Sequence, residues 1–303
     1  MCKALIAATF ILLFDLTGLA QNCVDTAKVV KLHLSAKTAM TYEGNYDEAL
    51  IQYGLTPDDP NALIWLGRRL AYLGNYKAAI KGFTVGRATL PKDARFYRHR
   101  GHRYVTLRCI DDAIADLEKA AKLTKGRPDE IEPDGIPNAR NIPTSTLQSN
   151  IWYHLGLAYY LKGNFKKALK AYNECVKVSK NPDMLVATVH WLYMTLRRLG
   201  EEKKAAKALR LVAGEQDIIE NADYYKLVKL YQGKTAAGDL AKELNGGAST
   251  IGSASLGYGL GNWYMYNGRR DEAVNVFKTI AAGDQWASFG FIAAEAELAR
   301  LKP

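Results

Sequence analysis

Three stretches of this chain repeat one pattern: LIWLGRRLAYLGNYKAAIKGFTVGRATLP from Leu63, WYHLGLAYYLKGNFKKALKAYNECVKVSKNP from Trp152 and GYGLGNWYMYNGRRDEAVNVFKTI from Gly257. Each has a Leu-Gly pair, an aromatic or leucine three residues on, and a Gly-Asn-aromatic or Gly-Arg-Arg break. An alanine then precedes Phe or Tyr by four residues. Self-similarity of this kind restricts the fold severely, because each unit must be a supersecondary element that buries its apolar faces only against its neighbours. Within each first half the apolar residues fall at helical spacing, as with Leu63, Leu66, Gly67 and Leu70, and make one stripe. Glycine in that stripe lets a partner helix approach closely. Alanine in the second half, at Ala79, Ala113, Ala168 and Ala273, does the same from the other side.

Gly67 and Gly101 lie 34 residues apart, and Gly156 follows after a further 34 plus an insertion of 21; Gly261 and Gly290 recur in similar contexts. Tyr193 to Gly261 is 68 residues, two periods, so a degenerate unit around Tyr224, Leu227, Val228 and Tyr231 lies between them. These residues resemble the tetratricopeptide repeat, a helix-turn-helix unit of about 34 residues. The resemblance implies an all-α, right-handed α-α superhelix of six to seven units, whose first helices make a concave wall. At the start, GNYDEALIQY (Gly44–Tyr53) reads as a turn and second helix, after a first helix over about Val24–Thr41. At the end, Trp286–Leu301 reads as a first helix without a partner.

The chain is targeted for export on this reading. Lys3 precedes an eleven-residue apolar run, Ala4–Phe14, followed by Asp15, Gly18 and Ala20. A bilayer span needs about twenty apolar residues, so the run is a signal peptide cleaved near Ala20, and residues 21–303 form one periplasmic or secreted solenoid. Cys23, Cys109 and Cys175 would remain, an odd and widely spaced set that does not read as a disulfide framework.

The stretch RFYRHRGHRYVTL, Arg95–Leu107, carries six arginines and histidines in thirteen residues. At about 100° per residue, Arg95, Arg98, His99 and His102 face away from the stripe of Tyr97, Gly101 and Tyr104, toward the groove that the resemblance implies. Arg100 falls on the apolar side and needs a partner such as Asp112 or Asp116. The same offsets place Trp65, Arg68 and Tyr72, then Tyr153, His154 and Tyr160, then His190, Trp191, Met194 and Arg197, and finally Tyr258, Asn262 and Tyr266 on the lining. Arginine, histidine and aromatics in a groove suit an extended protein segment carrying carboxylates, held by charge-assisted hydrogen bonds and flat apolar contact.

Other function classes fit less well. The net charge of +10 points to anionic partners, and a nucleic acid or acidic glycan is the alternative. Lysines in KGNFKKALK and GEEKKAAK, however, spread the charge over several faces. A metal-dependent enzyme would have to use His99, His102, His154 and His190, but HExxH, phosphate-loop and nucleophile-elbow motifs are absent from the sequence. The expectation is therefore a scaffold without cofactor or metal. The insertion, residues 124–148, holds four of nine prolines and the acids Asp129, Glu130, Glu132 and Asp134. No helix can cross it. Its acidic part is expected either to make a harmless excursion or to fold over the basic patch as a lid. A Gly/Ser-rich break at Asn245–Gly257 reads as a hinge within one continuous array.

Overall fold

A computed structural model describes residues 23–246 and 251–301. The proposed signal segment and residues 247–250, the centre of the suggested hinge, lie outside the described residues. After a short turn of helix, α1 (23–26), the chain runs through α2 (Ala36–Leu55), α3 (Pro60–Tyr72), α4 (Tyr76–Thr89), α5 (Ala94–Thr106), α6 (Ile110–Thr124), α7 (Leu147–Leu161), α8 (Phe165–Val178), α9 (Pro182–Arg198), α10 (Glu202–Leu209), α11 (Ala222–Tyr231), α12 (Ala237–Gly246), α13 (Ile251–Tyr266), α14 (Arg270–Ala281) and α15 (Phe289–Leu301). Among the described residues α3–α4, α5–α6, α7–α8, α9–α10 and α13–α14 form hairpins, whereas α11 packs on α9 and α13, α12 packs on α13, and α15 is the unpaired last member. This is the all-α solenoid expected from the repeats.

The glycine pattern works as packing. A methyl group at Gly67 would come within 2.5 Å of the Phe83 ring, at Gly101 within 2.8 Å of Leu117, and at Gly156 and Gly261 within 2.6 Å of Tyr172 and Phe277. Each pair joins the two helices of one hairpin, and the alanines Ala79, Ala113, Ala168 and Ala273 are fully buried beside them. Between the helices the chain reverses through a left-handed residue: Gly74, Gly163, Gly200, Gly233 and Gly268 all have positive φ. In the α5–α6 turn that place belongs to Arg108, at φ 65°. A non-glycine residue there costs about 1–2 kcal/mol, and Arg108 offsets it with contacts to the C-terminal segment. Its guanidinium reaches Glu295 at 2.7 Å, donates to the Trp286 carbonyl at 2.9 Å and stacks 4.1 Å from the Trp286 ring.

Two expectations about the N-terminus are corrected. Helix α2 runs unbroken through Gly44 with no turn there, and residues 27–35 are not helical. A side chain at Gly44 would meet nothing within 4 Å, so this glycine marks neither a reversal nor a close approach. Cys23 and Cys109 are also joined in a disulfide, which the 86-residue separation hid and which only the folded array brings together. Cys175 is free, as expected of a buried residue, and burial pushes its thiol up to about 11.

The array also curls on itself. Besides the expected succession of neighbours, α13 reaches α9 and α15 reaches α7. The C-terminal hairpin and α15 therefore occupy the inner side of the middle units.

Candidate functional site

That curl divides the residues expected to line the groove. Tyr160, His190, Trp191, Met194, Tyr258 and Asn262 are interior side chains. For these six the expectation of an open groove lining is corrected. Periodicity fixes which face of each helix points inward, but it does not say what the curvature brings onto that face. Trp191 stacks on Tyr258 at 5.7 Å and donates to the Tyr153 hydroxyl at 2.8 Å. The Tyr258 hydroxyl lies 3.0 Å from that of Tyr160 and 3.1 Å from the Glu297 carboxylate. Arg198 and Arg300 also pair with Glu297. Burial raises the Glu297 carboxyl, but the two arginines more than offset this and hold it below the usual range. Arg197 and Tyr266 sit half-buried at the edge, with the guanidinium 4.5 Å from the ring.

The N-terminal part of the lining is arranged differently. Trp65, Arg68 and Tyr72 from α3 and Arg95 from α5 keep partial access to water. The N-caps Asp59 and Asp93, each accepting from a backbone N–H, fix the starts of these two helices. The Asp93 carboxylate also pairs with Arg95 at 2.6 Å, and Arg95 donates to Asn61 at 2.7 Å. Arg68 and Arg69 stack on Trp65 at 4.3 and 4.8 Å. Deeper in, Arg98 and His99 are buried and His102 half-buried. Arg98 Nη1 lies 3.4 Å from His99 Nδ1 and 3.3 Å from His102 Nδ1, so both nitrogens act as acceptors. His154 follows on α7, its ring 4.3 Å from His102 and its Nδ1 2.6 Å from the Asn150 carbonyl. Burial, with repulsion from Arg98 and its arginine neighbours, holds His99, His102 and His154 well below the usual imidazole range.

This geometry disfavours the metal reading, because Arg98 points its positive charge at the nitrogens of two of the three clustered histidines. His190 stands apart, stacked on Tyr224 and Tyr231 at 4.7 and 5.8 Å. Arg100, the misfit on the apolar side, makes a two-point pair with Asp116 at 2.6 and 2.7 Å, one of the two partners expected for it.

The insertion closes over this stripe as a strap. Glu132 pairs with Arg98 at 2.8 Å, and both side chains are buried. Arg68 donates to the Pro133 carbonyl at 2.7 Å and Arg69 to that of Gly135 at 2.6 Å. Gly135 lies so close to the Tyr72 ring that any side chain there would overlap it. The strap's returning limb crosses to the segment between α10 and α11. Asn138 and Thr144 donate to Glu220 at 2.9 and 2.8 Å, and Arg140 pairs with Asp217 at 2.7 Å. Helix α7 then begins in a Thr146–Ser149 capping box. Under the strap is a cavity of about 540 Å³, walled by Arg98, His102, Tyr153, His154, Tyr224 and Phe289 among others.

Sequence reasoning missed Arg69, Arg103, Phe289 and Glu297. Arg69 and Arg103 were visible as additional cations beside Arg68 and His102. Phe289 and Glu297 gave no signal of their own, because their place depends on the return of α15.

Comparison with known proteins matches residues 149–182 and 255–287 to the tetratricopeptide-repeat family. BBSome complex member BBS4 of Bos taurus is 26% identical over 158 residues, which cover 51% of this chain. They cover only 26% of that protein's length. Among solved structures, a tetratricopeptide repeat protein from Parabacteroides merdae aligns over 83% of this chain and 92% of its own, at TM-score 0.49 and 14% identity. YrrB, described as a TPR protein with an unusual peptide-binding site, aligns over 82% and 97% at TM-score 0.44 and 15% identity.

Proposed function

This chain is a tetratricopeptide-repeat protein, and from that premise we propose that it is an exported, non-catalytic scaffold that holds an extended segment of a partner protein against α3 and α5. The observation that carries this reading is the contrast in access. Among the described residues, the stripe of Trp65, Arg68, Tyr72, Arg95 and Arg98 is covered mainly by an irregular strap, with Tyr42 of α2 against Tyr72, whereas Trp191, Met194 and Tyr258 farther along are core. Arginines and a tryptophan at a concave surface are the side chains that anchor protein segments most effectively. Among the described residues, no helix is long and apolar enough to cross a membrane. Export is supported by the Cys23–Cys109 bond, since such bonds persist in oxidising compartments.

Peptide display against the full chain tests the reading. Selected ligands are expected to be acidic and to bind at least tenfold more weakly to the Arg68→Ala, Arg98→Ala double variant, with circular dichroism unchanged. Ligands indifferent to both arginines would sink it. Alkylation and mass spectrometry of the exported protein should show one free thiol and an N-terminus near Gln21.

A further inference from the structure

Two ion pairs on one helix differ in a way that bears on the strap. Arg100 and Asp116 meet through both nitrogens and both oxygens. Arg98 and Glu132 meet at one point, and Arg98 Nε and Glu132 Oε2 are buried without a hydrogen-bond partner. Leaving buried polar atoms unpaired is costly, so the second pair is only half made. Beside it is a further cation, Arg103. Arg103 has no carboxylate within ion-pair distance among the described residues, and with Arg68, Arg98, His99 and His102 it lines a cavity of about 90 Å³ that contains one acid, Glu132. The site holds more positive charge and more donors than the strap satisfies.

The strap is also held in the manner of a bound peptide. Residues Glu130–Gly135 cross α3 and α5 without helical structure, and Glu130 and Glu132 are paired through their backbone with Leu147 and Ser145 where the strap returns. The segment offers a carboxylate to Arg98, then the carbonyl of the next residue to Arg68, then the carbonyl two residues further to Arg69. The isoleucines that could have anchored it by burial do not: Ile131, Ile136 and Ile142 are 66%, 51% and 44% exposed. Its hold on the groove is ionic and main-chain, a chemistry that a segment from another protein can reproduce.

We propose that the strap is a built-in stand-in for the partner, and that the groove takes in trans an extended acidic segment with a glutamate followed by proline or another residue that keeps the chain extended. Such a segment would displace Glu130–Gly135, pair with Arg98 through both carboxylate oxygens, and bring a second acid toward Arg103. This rests on the scaffold reading above and adds the chemistry of the ligand and the competition within the chain.

The test uses the full chain with residues 129–136 replaced by Gly and Ser at constant length, and a fluorescent peptide RPDEIEPDGI (Arg127–Ile136) as the probe. The peptide is expected to bind the replaced chain and to bind the natural chain at least tenfold more weakly. The same peptide with glutamine in place of Glu132 should lose at least tenfold on the replaced chain. Should the replacement not fold, Glu132→Gln in the natural chain is expected to raise affinity for the displayed acidic ligands about threefold or more, with circular dichroism as control. Displayed ligands that bind equally with and without the strap would overturn the competition and leave the scaffold reading standing. Absence of any arginine-dependent ligand from both chains would overturn the scaffold reading itself. A sulfated polysaccharide that displaces the probe with no preference for the glutamate would overturn the peptide assignment in favour of a general polyanion site.

Discussion

The concave side of this molecule is closed twice, by different means. In the C-terminal half, α13 and α15 lie on the wall, and their polar atoms converge on Glu297, which two arginines and Tyr258 hold in the interior. In the N-terminal half a strap without helical structure spans the wall, and its one buried carboxylate makes a single contact with Arg98. The first closure is part of the core. The second is an irregular loop joined to the wall by one half-made ion pair and two carbonyl contacts. Equivalent faces of equivalent helices thus become either core or an accessible surface, depending on what later segments of the chain do.

The largest expected effect that would break this contrast is acid. His99, His102 and His154 lie below the strap and His190 in the C-terminal half, all with their pKa lowered, His190 to about 3. In each case the unfolded chain binds the proton more readily, so this stability is complete above pH 6.5 and is lost as pH falls below it. The slope is about 1.4 kcal/mol per pH unit for each histidine. Three of the four groups belong to the strapped half, so hydrogen exchange at pH 5 should accelerate in α3–α7 before α9–α15. Simultaneous loss throughout would show that the halves are not separable.

Next is Glu297→Ala, which removes the buried acceptor shared by half-buried Arg198, exposed Arg300 and the Tyr258 hydroxyl and should cost about 2–4 kcal/mol. At roughly 2–4 °C per kcal/mol for a chain of this size, calorimetry should record a melting point lower by about 10 °C. Removing the disulfide by Cys23→Ser or reduction should cost about 2–4 kcal/mol, read as a lower urea midpoint. The smallest effect is expected from Glu132→Gln. Glutamine can still accept from Arg98, so loss of the charge in this buried pair should cost about 1–2 kcal/mol, and protease cleavage between residues 125 and 146 should quicken. A loss as large as that of Glu297→Ala would mean that the strap is as structural as α15.

Much of this architecture could be read from the residues. The glycine that admits an aromatic sixteen positions later, as Gly156 admits Tyr172, is a local steric requirement, and it identified the hairpins. The cationic face of α5 was equally legible, because helical geometry fixes which residues share a side. What pairs with that face was not. Glu132 was one of four acids in the insertion, and its choice of Arg98 follows from the path of a loop. The burial of Trp191 and Tyr258 follows from curvature accumulated over several units, and the Cys23–Cys109 bond from the docking of a segment that has no repeat pattern. Short-range rules specified the units, whereas contacts between distant units decided which of them stayed open.

The α5–α6 turn fastens both Cys23, through the bond to Cys109, and the C-terminal segment, through Arg108. Mechanically, an open repeat array is a spring that lengthens by unwinding its pitch. Here a pull between Cys23 and the C-terminal segment enters the array at the α5–α6 turn through the covalent link, so the units between Cys23 and Cys109 bear no tension. The load leaves through the Arg108–Glu295 clasp together with the contacts of α15 on α7 and α13 and the Glu297 pairs, so the molecule should resist tension until that set gives way, without gradual extension of the first units.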